Sequence, residues 1–205
     1  MQQVNYDSLW DYDRMSVLIH PTENDNPHGV VSCGELSNAT CQRIIDEHKN
    51  DKNLLVRGRV QKDGEFVDDT TTRDVDAWII NEDNAWIDDI IANTTYTALE
   101  YLKYDVVGLL ERPQLLRYKT SSKGYTWHTD LGEKEASIRK ISISINLNNG
   151  YEGGALSFFS NGLYKLQMHK GLSVAFPSFL SHMVEPIKKG ERWSLVAWIS
   201  GHPFR

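Results

Sequence analysis

The stretch KISISINL, residues 140–147, decides the fold class. Ile141, Ile143, Ile145 and Leu147 alternate with Ser142, Ser144 and Asn146. Side chains on a strand point to opposite faces in turn, so this alternation reads as a β-strand with one face on a hydrophobic core. Working outward, short runs of β-type residues recur between turn signals. They are QLLRYK at 114–119, GYTWH at 124–128, GALSFFS at 154–160, YKLQMH at 164–169, LSVAFP at 172–177, HMVEPI at 182–187 and RWSLVAWIS at 192–200. With 140–147 they make eight candidate strands, at a spacing that argues for a sandwich or barrel and in a number that suits a double-sheet jelly roll.

The chain before them has a different texture. In NATCQRIIDEHK at 38–49, Cys41, Ile44, Ile45 and His48 fall on one face of a helix that Ser37 or Asn38 can cap. His48 reads as a partly buried helix histidine. NAWIDDIIANTTYTALEYL at 84–102 predicts a second amphipathic helix, with Trp86, Ile87, Ile90, Ile91, Ala98, Tyr101 and Leu102 as its apolar stripe. Between the helices, LLVRGRVQKDGEFV at 54–67 reads as a strand, a Lys-Asp-Gly turn and a second strand, opening a hairpin-loop over 54–73. Residues 1–35 are polar and irregular, with a loop-like PTENDNPHG at 21–29 and one short strand expected around Met15–Ile19. The expected organisation is a single domain over 1–205: an N-terminal helical and strand elaboration at 1–112, and a β core at 113–205. The fold class is mainly β with α, with the helices packed on one sheet.

The 205 residues carry a net charge of −6, which argues against a general phosphate-backbone binder, so a nucleic-acid partner is not expected. The basic residues around Arg57, Arg59 and Lys62 read as a solvated loop. Cys33 and Cys41, spaced C-x7-C, form neither a zinc pattern nor a disulfide framework. The N-terminal stretch MQQVNYDSLWDYDR lacks the apolar run of a secretory leader, and no segment is apolar enough to span a bilayer. The expectation is a cytoplasmic protein with no membrane partner.

Chemistry enters at WHTDLGE, residues 127–133. His128 and Asp130 are two apart, a spacing that puts both on one face of a strand. Strands two and seven of a jelly roll are neighbours, so His182, at the start of the seventh, is the natural third ligand. Two histidines and one carboxylate on one side of a metal make the facial triad of non-haem Fe(II) oxygenases, with open positions opposite. Trp127 falls on the other face, in a packing position, and Leu131 begins a loop at the site mouth. Ten residues beyond His182, Arg192 sits among Trp193, Leu195, Val196 and Ala197. A buried guanidinium needs a partner. Either a carboxylate ligand supplies one, held bidentately, or an acid such as Glu185 or Glu191 does.

These residues resemble the Fe(II)- and 2-oxoglutarate-dependent dioxygenases, within them the prolyl 4-hydroxylase branch of hypoxia-inducible-factor type and bacterial enzymes. The likeness covers most of the chain and is strongest over 113–205. His128-Thr129-Asp130, His182 and Arg192 match the family signature. YKTSSKGYTWHTD at 118–130 matches the run Tyr-x5-Gly-Tyr-x2-His-x-Asp, and YEGGALSFF at 151–159 is similar to the family's GG-x-L segment. The resemblance implies a double-stranded β-helix. It implies Fe(II) as cofactor on His128, Asp130 and His182, with 2-oxoglutarate and O2 as cosubstrates and ascorbate as a possible reductant. It gives Arg192 and Tyr118 to the far carboxylate of 2-oxoglutarate, and Tyr125, Trp198 and Arg73 to the substrate pocket. RDVDAW at 73–78 resembles the end of the loop that closes over peptide in that branch. The implied activity is hydroxylation of an unactivated C–H, foremost of a prolyl residue in a peptide or protein, with succinate and CO2 as coproducts.

Four rival readings have discriminating features. A non-prolyl 2-oxoglutarate hydroxylase differs only in loops that choose the substrate. Nucleic-acid demethylases of the superfamily carry a second Arg six residues after the first, where this chain has Trp198. A non-catalytic jelly-roll binder has no use for Arg192 and Tyr118. A zinc hydrolase on the same triad needs a general base, and none is evident.

Overall fold

The computed structural model describes residues 29–52, 55–57, 59–62, 65–120, 122–160 and 162–203. The strand expected around Met15–Ile19, the histidines at 20 and 28, and residues 63–64 of the Lys-Asp-Gly turn lie outside them.

In chain order the elements are β1 (Val31–Glu35), α1 (Asn38–His48), β2 (Leu55–Arg57), β3 (Arg59–Lys62), β4 (Glu65–Asp68), β5 (Arg73–Asp74), β6 (Asp76–Ile79) and α2 (Ala85–Leu102). Then come β7 (Gln114–Tyr118), β8 (Gly124–His128), a 3-10 turn (Lys134–Ile138), β9 (Arg139–Asn146), β10 (Glu152–Gly153) and β11 (Leu156–Phe159). The last are β12 (Leu163–Leu166), β13 (Leu172–Pro177), β14 (Ser181–Val184), β15 (Ile187–Lys189) and β16 (Arg192–Ser200). All eight candidate strands from 113 onward are present, four to a sheet. The larger sheet runs β1-β13-β9-β16-β7-β6-β2 and the smaller β12-β11-β14-β8-β5. Strands from before residue 113 therefore extend both sheets. This is a jelly roll, mostly β with two helices among the described residues.

The two faces of β9 show why the sheets close as they do. Ile141, Ile143, Ile145 and Leu147 are buried with Ile44 and Ile45 of α1 and Ile87, Ile91 and Ala98 of α2. Each such side chain contributes about 1.5–3 kcal/mol over its exposed state, so this layer is what fixes the helices to the larger sheet. Ser142, Ser144 and Asn146, on the other face, are buried as well. Ser142 meets Asp130 and Ser144 lines the cavity between the sheets.

The helices form for local reasons. Ser37 caps α1, its hydroxyl accepting the Thr40 N–H at 3.1 Å. His48 is buried, with Nδ1 2.9 Å from the Ile44 carbonyl, an ordinary helix histidine. α2 ends where Lys103 turns left-handed, with φ 55°. Its buried face differs from expectation. Tyr101 is exposed, and Thr94 and Thr95 take places in the stripe, their hydroxyls donating to the carbonyls of Ile90 and Ile91. The hydroxyls are satisfied within the helix, so these threonines can be buried, which an apolar stripe alone does not reveal.

The 54–67 hairpin also departs from the reading. The run splits: β2 joins β6 of the larger sheet, and only β3 and β4 pair as a hairpin. RDVDAW is strand, not loop. Its first two residues pair with β8 in the smaller sheet and its last three lie in β6 of the larger, so the segment bridges the two sheets at the site. Among the described residues no helix is long and apolar enough to cross a membrane, and Cys33 and Cys41 are free thiols.

Candidate active site

β8 and β14 lie side by side, and His128 pairs directly with His182 across them. Asp130 falls two residues past the end of β8, where the backbone N–H groups of Asp130 and Leu131 both donate to the Ser178 carbonyl, at 2.9 and 2.8 Å. The carboxylate thus reaches the histidines through an anchored turn, not through strand alternation alone. Ligand atoms of His128, Asp130 and His182 lie within 4.8 Å of one another. His128 Nε2 is 3.7 Å and His182 Nε2 3.5 Å from the Asp130 carboxylate.

The donor set suits a divalent metal. Nδ1 of His128 lies 2.7 Å from the Thr126 carbonyl, and Nδ1 of His182 lies 2.9 Å from that of Leu180. A carbonyl can only accept, so both rings carry a proton on Nδ1 and turn Nε2 inward. Burial, together with the charge of His182, pushes His128 down to about 3, so it is neutral at pH 7. Burial opposes ionisation of Asp130, but His182, His128 and Arg139 outweigh it and bring the carboxyl down to about 2. Ser142 donates to Asp130 Oδ2 at 2.6 Å and touches Ser178 Oγ at 3.0 Å. Tyr125 stacks on His128 with ring centroids 3.4 Å apart, and Phe176 meets His182 edge-on at 4.7 Å. The rings are therefore held in place before any metal arrives.

Behind the triad a narrow cavity of about 50 Å³ runs between the sheets to Arg192. Arg192 pairs in register with Tyr118 across β16 and β7, and both are about 1% exposed. Nη1 of Arg192 donates to Ser194 Oγ at 3.3 Å, while Nε and Nη2 have no hydrogen-bond partner among the described residues. Glu185 is engaged by Ser157 and Lys165, so it does not neutralise Arg192. Two orphaned donors on a buried fork, beside a buried phenol, fit an incoming carboxylate. Gly154 allows this packing. With φ at +62°, its missing Cβ would stand 2.4 Å from Ile187 Cδ1 and 3.0 Å from Arg192 Cδ.

In front of the triad lies a wider chamber of about 430 Å³. Arg73, Tyr125, His128, Asp130 and Trp198 line both spaces, so the two meet at the triad. Arg73 is buried, with Nη2 3.2 Å from Gln114 Oε1 and its guanidinium carbon 5.3 Å from the Tyr125 ring. Burial pushes the Tyr125 phenol up to about 12, so it stays protonated as a donor. All eight residues singled out in the sequence thus line the two cavities.

Several neighbours were not singled out. Ser142 and Ser178 brace Asp130; Glu111, Gln114 and Arg139 line the chamber. Ser142 had a signal, since it lies on the polar face of KISISINL, whose other face is core. Glu111 and Gln114 had none. Trp127 is corrected: it is 44% exposed on the outside of the smaller sheet, where it meets the exposed Phe159 edge-on at 6.4 Å. Among the described residues both helices pack on the larger sheet, and Trp127 on the smaller one stays exposed. Leu131 does open a loop, which leads into the 3-10 turn. His169 is exposed against Glu35, and His202 is exposed.

Two histidines and a carboxylate at the mouth of a jelly roll are a donor set that non-haem Fe(II) oxygenase sites also use. Residues 113–200 match the family model of the 2OG-Fe(II) oxygenase superfamily. A PKHD-type hydroxylase of Synechococcus sp. (strain CC9902) is 33% identical over 82 residues, 38% of this chain and 37% of that one. One from Thermosynechococcus vestitus is 31% identical over 106 residues, covering 48% and 46%. The matches span less than half the length of these relatives. Among solved structures, a prolyl hydroxylase of Trichoplax adhaerens, in complex with a hypoxia inducible factor peptide fragment, superposes with TM-score 0.70 at 17% identity, covering 97% of this chain and 94% of that one. A Pseudomonas putida prolyl-4-hydroxylase gives 0.66 at 21%, covering 85% and 94%. At these identities the solved structures speak for the fold.

Proposed function

We propose that the protein is an Fe(II)- and 2-oxoglutarate-dependent hydroxylase, acting on a prolyl residue of a peptide or protein. The observation that carries the chemistry is the pairing of the triad with Arg192, whose buried guanidinium keeps two donors unpartnered at the far end of the inner cavity. A site that only stored a metal has no need of that second anchor.

In this reading His128, Asp130 and His182 hold Fe(II), and Arg192 with Tyr118 takes the distal carboxylate of 2-oxoglutarate. When bound, Fe(II), 2-oxoglutarate and O2 supply the oxidising chemistry, giving succinate, CO2 and one oxygen atom placed into a substrate C–H. The chain supplies position and dryness. Leu116, Leu156, Phe176 and Val196 wall the inner cavity and keep water from the cosubstrate. Tyr125 and Trp198 face the chamber from opposite sheets and form its apolar grip, with Arg73 and Gln114 as polar contacts. The Tyr125 phenol, held protonated, can donate to a substrate carbonyl.

The prolyl assignment is supported by the PKHD-type and prolyl hydroxylase relatives and by the chamber, whose size suits one residue with its flanking backbone. The test is mass spectrometry of a proline-containing peptide panel and cell extract after incubation with Fe(II), 2-oxoglutarate and ascorbate. A gain of one oxygen on proline, absent in His128→Ala and His182→Ala, is expected. Succinate formation with only non-prolyl products overturns the substrate; no succinate at all overturns the chemistry.

A further inference from the structure

Asp130 is the ligand with least support from regular structure. His128 closes β8 and His182 lies within β14, but Asp130 sits beyond the strand. Its amide is held by Ser178, and its carbonyl needs its own anchor. That carbonyl accepts Nη1 of Arg139 at 3.2 Å. The rest of the Arg139 fork is taken by Glu111: Nε donates to Oε1 at 2.6 Å, and Nη2 to Oε2. The plane of Arg139 lies over Trp198, with Cζ 4.3 Å from the ring centroid. The Arg139 side chain is 11% exposed and Glu111 27%, so solvent screens the pair only partly. Both line the outer chamber.

We propose that Glu111 and Arg139 form a positioning clamp for the metal ligand Asp130. Glu111 fixes the guanidinium, and the guanidinium fixes the carbonyl of Asp130 and, through that backbone, the direction of its carboxylate. The inference rests on the triad being a metal site. Neither clamp residue is a ligand; each acts through the next. Because the same side chain walls the chamber, the geometry of the metal ligand and the shape of the substrate space are set together. The competing view is that the pair only staples the start of β9 to the segment before β7. That view predicts a loss of thermal stability with no change in the metal affinity of the folded protein.

Titration of the full metal-free chain with Co(II), followed by its visible absorbance without cosubstrate and well below each variant's Tm, separates the two. Wild type binds; His128→Ala and His182→Ala do not. Arg139→Met lowers Co(II) affinity on the order of 10-fold, as loss of a group that orients a ligand does. Arg139→Lys falls with Arg139→Met, since an ammonium cannot hold the carboxylate and the carbonyl with one planar fork. Glu111→Gln lowers affinity by a smaller factor, and adding it to Arg139→Met lowers it no further, because Glu111 acts only through Arg139. A loss from Glu111→Gln that persists in the double variant overturns the clamp, as it marks a bare charge effect on the cation. Wild-type Co(II) affinity in variants of lowered Tm overturns it too. Should Arg139→Met fail to fold, Glu111→Gln decides: unchanged affinity overturns the proposal. Failure of wild type to take Co(II) overturns the metal reading, and the clamp with it.

Discussion

Replacing Arg192 by Met should stabilise the ligand-free protein while destroying its hold on 2-oxoglutarate. Arg192 is among the largest fully buried side chains, and its Nε and Nη2 have no partner among the described residues. Each buried unpaired donor costs about 1–3 kcal/mol, more when the group is charged. Part of that is offset by the Ser194 hydrogen bond at 3.3 Å and by the Tyr118 ring 5.7 Å away. Exchanging buried ionic groups for apolar ones of similar volume has stabilised other proteins by about 1–4 kcal/mol. For a chain of this size each kcal/mol moves Tm by about 2–4 °C, so a rise of several degrees is expected. Affinity should move the other way. Loss of one member of a buried charge-assisted pair costs about 2–5 kcal/mol, roughly 30- to several-thousand-fold in Kd. Thermal unfolding with Mn(II), with and without 2-oxoglutarate, reads both. Wild type should gain Tm on adding 2-oxoglutarate, and Arg192→Met should start higher and gain nothing. A variant that melts lower and is still protected by 2-oxoglutarate would refute the reasoning.

Four further outcomes are expected. Ser142→Ala removes the 2.6 Å hydrogen bond on Asp130 Oδ2. At about 1.5–3 kcal/mol for a bond to a charged group, it should weaken Co(II) binding about 10- to 100-fold, and Ser142→Thr should restore it. Gly154→Ala forces a Cβ against Ile187 and Arg192 at φ +62°, so it should cost about 1–3 kcal/mol in urea unfolding and raise the KM for 2-oxoglutarate. In metal-free protein, unfolded His128 takes a proton below about pH 6.5 but the folded residue waits until about 3. The stability it contributes is complete above about pH 6.5 and lost as pH falls towards 3. The urea midpoint should therefore drop further between pH 7 and 4 in wild type than in His128→Asn. Trp127→Ser changes only an exposed side chain, so stability should stay within about 0.5 kcal/mol and turnover should match wild type.

How much of this was legible beforehand depended on whether the signal was local. Alternation in KISISINL marked β9, and the spacing of Cys41, Ile44, Ile45 and His48 marked α1, because each pattern repeats the period of its own element. The spacing of His128 and Asp130 was also local, and a jelly roll with neighbouring second and seventh strands brought His182 to them. Tyr101 misled for the opposite reason. Leu99 and Leu102 on either side of it pack against the core, but the Tyr101 side chain is exposed, and Thr94 and Thr95 are among the residues buried instead. Trp127 misled likewise, since alternation says which face a residue takes and not whether that face is covered.

The sequence by itself determined the periodicities, the ligand types and the separation of Arg192 from His182, because these are properties of neighbours along the chain. Only the tertiary structure decided which faces are covered, that two donors of Arg192 stay without a partner among the described residues, and that Glu111 meets Arg139 and Arg139 meets the carbonyl of Asp130. Glu111 and Arg139 are far apart in sequence and belong to no shared period. They meet because β7 and β9 flank β16 in one sheet, and sheet order is set by the burial of the whole core.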